Sequence, residues 1–267
     1  MTATSAPYTA PVDQLLSLGT PGDIWDLWAD YLALGFTLEH VPELIRMAAD
    51  PALNESEGSV DVWAPLHAWR TLGQLRADAA AQPLVDLLAK VDDDWIQDDL
   101  PQALGMIGGA TIAVVRDLLA NGEADLTPRI SAMSALGAVA RHHPELRDEA
   151  VGALTAQLAL WPDQDRDLNA SLISELTKLQ AVESAAVIEA AFEGGGVSEF
   201  ICGDWEDVQV QMGLLAERIT PLPTRPPLFS PHPPVSPMTS PTRPRPSAKS
   251  KNRRKEARAA RKRNRRK

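Results

Sequence analysis

TLGQL (71–75), ALGMI (103–107) and ALGAV (135–139) are three copies of one pattern, a Leu-Gly pair followed two residues later by an aliphatic side chain. Weaker copies are ELTKL (175–179), with Thr177 in the glycine's place, MGLL (212–215), with Gly213, and ALGF (33–36), with Gly35. Successive aligned positions lie 38, 32, 32, 40 and 36 residues apart. A period of that length marks a repeat protein, and it has room for two helices and two turns.

The residues between the copies have helical spacing. Ile130, Met133, Leu136 and Val139 recur every third residue, and Val151, Leu154 and Leu158 alternate three and four. Each set makes one apolar stripe on a helix. Turn signals separate the stripes: ADAA (77–80), NGEAD (121–125), HHPE (142–145), WPDQD (161–165) and GGGV (194–197). No stretch alternates apolar and polar residues for long, so the expected class is all-α. Helix propensity disfavours the motif glycine. A residue without a side chain there lets the paired helix approach closely. Ten residues upstream of three of the glycines stand Trp25, Trp63 and Trp95, each near an Asp, and Asp204-Trp205 repeats the pair. A capping Asp and a Trp packed on the previous unit account for this; an aromatic stripe on a binding surface is the alternative.

Charge divides the chain. Residues 1–220 hold 11 Lys and Arg against 35 Asp and Glu, a net of −24, whereas 221–267 hold 15 against 1, a net of +14. Residues 221–246 contain 11 of the 22 prolines, which exclude helix and sheet. Extended as polyproline II, that run reaches about 80 Å at ~3.1 Å per residue. The expected organisation is a disordered N-terminus (1–11), a helical repeat domain (12–220), a Pro-rich disordered linker (221–247) and a disordered Lys/Arg-rich tail (248–267). The N-terminus has neither the charged nor the apolar region of a signal peptide. The uncharged stretch 100–115 is too short to span a bilayer. One cysteine, Cys202, permits no internal disulfide. A cytoplasmic protein without membrane contact is expected.

The units from LGQLRADAAAQPLVDLLAKVDDDWIQDDLPQALGMIG (72–108) through GATIAVVRDLLANGEADLTPRISAMSALGAVAR (109–141) resemble HEAT repeats, in particular the short HEAT-like class of the phycobilisome lyases. The resemblance is good over about 65–180 and looser over 12–64 and 181–216. It implies a right-handed α-solenoid of about five to six helix pairs, with a concave face open to a partner. It says little about activity, because such repeats serve lyases, scaffolds and binding proteins alike.

No reaction chemistry emerges. GMIGGAT (105–111) has no Lys-Ser/Thr after it and no strand before it, so it closes a repeat unit rather than cradling phosphate. Asp92, Asp93 and Asp94, with Asp98 and Asp99, lack the spacing of a calcium loop and read as an exposed acidic turn. The histidines (40, 67, 142, 143 and 232) show no metal-ligand spacing; His142-His143-Pro144 reads as a helix end. His67 and Arg70, one turn apart in LHAWR, are the place where an imidazole, a guanidinium and an indole share a helix. They join Asp92, Asp93 and Asp94 as a candidate partner surface. Cys202 has no neighbouring cation in sequence, so its thiol is expected to keep its ordinary pKa. Bilin attachment would need a pocket for an acidic tetrapyrrole, and the acidic body repels propionates. No cofactor, metal or catalytic residue is assigned.

The expected function is a non-enzymatic scaffold whose acidic repeat surface binds a protein partner, plausibly a basic one. The alternative is an enzyme or accessory factor of the lyase type. The tail offers Lys249, Lys251, Arg253, Arg254, Lys255, Arg258, Arg261, Lys262, Arg263, Arg265, Arg266 and Lys267 to a polyanion, RNA before DNA. It has no aromatic to stack on bases, so contact would be electrostatic. Two other readings of the tail stand beside this one: return onto the acidic body, or a solubilising or targeting signal.

Overall fold

A computed structural model describes residues 7–21, 27–54, 59–90 and 94–221. The chain divides into two units, 1–221 and 222–267, and all described residues lie in the first. The linker and tail expected after residue 220 therefore fall outside the described residues, save for the first proline.

Every regular element among the described residues is helical. The α-helices are α1 (Val41–Ala48), α2 (Pro51–Asn54), α3 (Ala64–Gln74), α4 (Ala81–Lys90), α5 (Asp94–Ile107), α6 (Gly109–Ala120), α7 (Leu126–His142), α8 (Arg147–Leu158), α9 (Arg166–Lys178), α10 (Ala185–Glu193), α11 (Glu199–Cys202) and α12 (Trp205–Gln211). None is long and apolar enough to cross a membrane. Two series of neighbours build the unit. In one, α3 packs on α5, α5 on α7 and α7 on α9; in the other, α4 packs on α6, α6 on α8 and α8 on α10.

The first series runs parallel and in register. Trp63 meets Trp95 edge to face, with ring centroids 5.3 Å apart. Ser131 bonds Gln97, Gly105 abuts Ala138, and Arg141 pairs with Glu175 across 2.5 Å. Each contact joins residues 32 to 34 apart, as side-by-side helices of one direction require. The repeated Leu-Gly pattern lies at the C-terminal end of these helices. Its leucines, Leu72, Leu104, Leu136 and Leu176, are fully buried.

The motif glycines are held by sterics. A Cβ on Gly105 would stand 2.8 Å from the Ala138 carbonyl carbon and 3.0 Å from its Cα, inside the backbone of α7. On Gly137 it would strike the side chain of Glu175, whose carboxylate occupies that space. The third residue after the motif position is left-handed in three units: Arg76 (φ 50), Gly108 (φ 97) and Gln180 (φ 52). After α3 the Ala77 N–H reaches the Leu72 carbonyl and the Arg76 N–H the Gly73 carbonyl; Ala181 and Gln180 repeat both bonds after α9. This is a Schellman closure, with the motif leucine packed on the buried alanine that follows.

Eight residues before the motif position each following unit carries a buried polar side chain. Gln97 donates to the Leu88 carbonyl (3.1 Å), Arg129 to that of Leu119 (2.8 Å) and Asn169 to that of Trp161 (3.0 Å). These carbonyls lie at or just beyond the ends of α4, α6 and α8, where a helix leaves acceptors without internal partners.

The N-terminal part departs from the repeat. ALGF ends no long helix: Leu32–Leu34 is a single 3-10 turn, stopped by Gly35 at φ 87. Side chains of α3 bind this backbone instead of a helical ladder; Gln74 accepts from the Tyr31 N–H and donates to the Ala29 carbonyl. MGLL likewise follows α12 rather than ending it, with Gly213 left-handed. Residues 7–11, expected to be disordered, are fastened to the first helices. Tyr8 donates to Asp50 (2.7 Å), and Thr9 gives its N–H and hydroxyl to Glu43.

Because α5 and α7 touch backbone to side chain at Gly105, Gly105→Ala is expected to destabilise the fold by ~1–3 kcal/mol, as overpacking does. Chemical denaturation of the two proteins measures this; unchanged stability would show that the helices separate freely there.

Candidate partner-binding surface

The interior of α3 and α5 gathers three of the ionisable groups marked out by the sequence, His67, Arg70 and Asp99. Arg70 and Asp99 are fully buried and face each other: Arg70 Nη2 lies 2.5 Å from Asp99 Oδ2, and its Nε lies 3.1 Å from both carboxylate oxygens. Trp69 Nε1 donates to Asp99 Oδ1 at 2.7 Å. Arg70 Nη1 donates to the Pro21 carbonyl, and its guanidinium lies 4.6 Å over the Trp28 ring. His67 bridges Tyr31 and Gly19. Its Nε2 lies 2.8 Å from the Gly19 carbonyl, which can only accept, so Nε2 carries the hydrogen and Nδ1 accepts from the Tyr31 hydroxyl at 2.7 Å.

This corrects two expectations. His67 and Arg70 offer no surface to a partner; they face inward and hold Gly19, Pro21, Trp28 and Tyr31 against α3. Asp99 leaves the acidic turn for the core because only a carboxylate there neutralises the buried guanidinium. Asp98 beside it is exposed. Burial pushes the Tyr31 hydroxyl up to about 12 and holds the His67 imidazole below its usual range. Both groups are therefore neutral at pH 7.

The other titratable groups are committed in similar ways. His143 is buried, with Nε2 3.0 Å from the Met106 carbonyl and its ring against Gly108. Gly108 accordingly serves a turn and a close packing, not a phosphate. His142, expected to place a cation at the end of α7, has its pKa lowered by desolvation and by neighbouring His143, Arg141 and Arg76. Arg141 supplies the charge there instead. Cys202 departs from the expected ordinary thiol: burial pushes it up to about 11. Among the described residues no three His, Cys, Asp or Glu side chains come together as a metal site.

What remains outward is acidic at one end of the parallel helices. Glu123 and Asp125 precede α7, and Asp163, Asp165 and Asp167 surround the start of α9, all exposed. Asp165 caps α9 through the N–H groups of Asp167 and Leu168; Asp204 caps α12 through that of Asp207. Cations sit at the opposite ends, in Arg76, Arg141 and Lys178. Helix dipoles favour both placements. Of the expected acidic surface, Asp92 and Asp93 lie outside the described residues and Asp94 opens α5. Trp25 and the whole tail from Lys249 to Lys267 also lie outside them. Trp63, Trp95 and Trp205 are half-buried, the last stacked on Phe192.

One surface went unnoticed in the sequence. Between α8 and α10 runs an open groove of about 630 Å³, floored by Val151, Gly152, Ala156 and Ala159 on one side and Val187 on the other, with Asp148 and Glu183 at one end. Small residues at helical spacing were its sequence signal, overlooked because they belong to no named motif.

The buried pair generates two expectations. Asp99→Asn leaves Arg70 charged and uncompensated, and should cost ~3–5 kcal/mol in a urea melt. His67 titrates lower in the fold than its ordinary 6.5, so the unfolded chain protonates first. Its contribution is therefore complete above about pH 6.5 and declines as pH falls below that. Urea midpoints at pH 7.5 and 5.5 should differ less in His67→Gln than in the parent; an equal difference would refute the assignment.

No curated protein and no solved structure matches the chain. A family model described as "Protein of unknown function (DUF1186)" matches residues 39–221, from the last 3-10 turn before α1 to the end of the described fold. Gly19, Pro21, Trp28 and Tyr31, which contact His67 and Arg70, precede the match, whereas the motif helices, the buried Arg70–Asp99 pair and the α8–α10 groove fall within it. The chain thus belongs to the DUF1186 family.

Proposed function

We propose that residues 12–220 form a right-handed HEAT-like α-solenoid that acts as a non-enzymatic, cytoplasmic scaffold, binding a basic protein partner through its acidic surface. The basic tail adds a second contact, to RNA, the ribosome or another polyanion. The observation that carries the reading is how the charges are placed. Arg70, Asp99, His67, His143 and Glu175 are buried and tied to one another or to backbone. Meanwhile Glu123, Asp125, Asp163, Asp165 and Asp167 stand exposed together at the starts of α7 and α9. Charge presented outward in this way selects partners and speeds encounter. Parallel, in-register packing of α3, α5, α7 and α9 supports the solenoid, whose units contact chiefly their neighbours.

The lyase-type alternative would need a cationic pocket for an acidic substrate, and no described feature favours it over binding. If about 8 tail cations contact a single strand, the log–log salt slope is about −6, and affinity falls over a thousandfold between ~50 and ~200 mM salt. Affinity purification of the full chain and of a chain ending at residue 220, with and without nuclease, tests both halves. RNA should be lost on truncation while a protein partner is retained. Equal RNA recovery by both chains would remove the role of the tail.

A further inference from the structure

The helices of the second series differ in what they turn outward. α4 presents Gln82, Asp86 and Lys90, and α6 sets Arg116 and Asp117 among exposed Ala110, Ala113 and Ala120. α8 presents Gly152 and Ala156, with Ala159 just past its last residue, spaced four and three apart, while α10 presents Ala186 and Ala190 beside Glu189. Gly152 has no internal reason to be glycine. A Cβ there would meet nothing within 4 Å, and a glycine inside a helix costs stability relative to alanine. The benefit lies outside the molecule, in how near another backbone can come.

The polar groups of the groove floor are already satisfied. Thr155 donates to the Val151 carbonyl at 2.8 Å, and its hydroxyl lies 2.7 Å from that of Ser184. An occupant gains nothing from polar atoms on its buried face and loses what their desolvation costs. Its buried face must be apolar and slim. The end of the groove is different: the Asp148 side chain is 98 % exposed and that of Glu183 47 %. The nearest cation, Arg147, lies 2.7 Å from Glu183 and 3.4 Å from Asp148 and also donates to the Leu179 and Gln180 carbonyls, so two carboxylates share one guanidinium and the rim stays net negative. That rim calls for positive charge from a partner. A second copy of this chain would bring the same acids against them, so self-association is disfavoured.

We propose that the α8–α10 groove docks a cationic amphipathic helix of a partner protein. A stripe of small or apolar residues lies along Gly152, Ala156 and Ala159, and Lys or Arg side chains stand over Asp148 and Glu183. The mode is helix-in-groove recognition, with the small floor residues permitting close backbone approach. It rests on the reading of the folded unit as a protein-binding module and specifies which surface binds and what it binds. The groove follows α8 for its 12 residues, ~18 Å of helix, so a partner helix of about three to four turns fills it.

The test uses the full-length chain and two synthetic helices of ~18 residues, one with an Ala/Leu stripe flanked by Lys, the other with Glu replacing every Lys. Binding is followed by fluorescence anisotropy. The cationic helix should bind and the anionic one should not. Ala156→Trp, which fills the groove, should weaken binding at least about tenfold, Asp148→Lys should weaken it several-fold, and Ala113→Trp on α6 should leave it unchanged. Melting temperatures check that each variant folds. If Ala156→Trp binds the cationic helix as tightly as the parent, the groove assignment fails while the acidic-surface reading survives. If the parent binds neither helix, both fail. Dimerisation of the parent that Ala156→Trp abolishes would assign the groove to a second copy and overturn the proposal.

Discussion

The structure depends on how closely successive parallel helices can approach. At Gly105 the next helix lies so near that a single added carbon would enter its backbone at Ala138. The contact fixes α5 on α7, and a similar close approach holds α3 on α5 at Gly73, where a Cβ would stand 3.0 Å from the Ala103 Cα. Buried motif leucines and the left-handed closure three residues on then set where each helix stops. This local geometry is repeated along one continuous apolar core, from Val12 to Met212.

Polar groups serve the same stacking. Gln97, Arg129 and Asn169 carry carbonyls at or beyond the ends of the preceding helices, and Ser131 bonds Gln97 in the adjacent helix. Glu175 fills the space above Gly137 and pairs with Arg141 and Lys178. Where the repeat gives out, before α1, charge takes over from periodicity: His67, Arg70 and Gln74 fasten an irregular segment that could not hold its own backbone bonds in a helix. Desolvation explains why these groups are neutral or paired and why they are unavailable to solvent. The surface keeps acids at the starts of α7 and α9, cations at the ends of α7 and α9, and a stretch of small residues between α8 and α10.

Much of this was legible in the sequence. The Leu-Gly pattern, its period, the turn positions and the helical stripes all arise from interactions within one or two turns of chain, so residue spacing reports them. The glycine's steric role followed from its poor helix propensity alone. Sequence misled where a motif residue lacked its setting: Gly35 and Gly213 match the pattern but stand after a short turn and after a short helix. Gln97, Arg129 and Asn169 share one offset from the motif and were still missed, because a polar residue in a helix looks solvent-facing until its neighbour's carbonyl is in place.

By itself, the sequence determined an all-helical repeat body, sharply acidic, followed by a proline-rich, basic stretch. Composition and periodicity are sums over local chain and need no partner to be read. Only the tertiary structure decided which charges are spent inside and which remain outside. Arg70 and Asp99 are 29 residues apart, and nothing along the chain says that they meet. Burial is a property of what packs around a side chain, so His67, Arg70 and Asp99 became interior ties rather than surface, and Gly152, Ala156 and Ala159 became part of the floor of a groove.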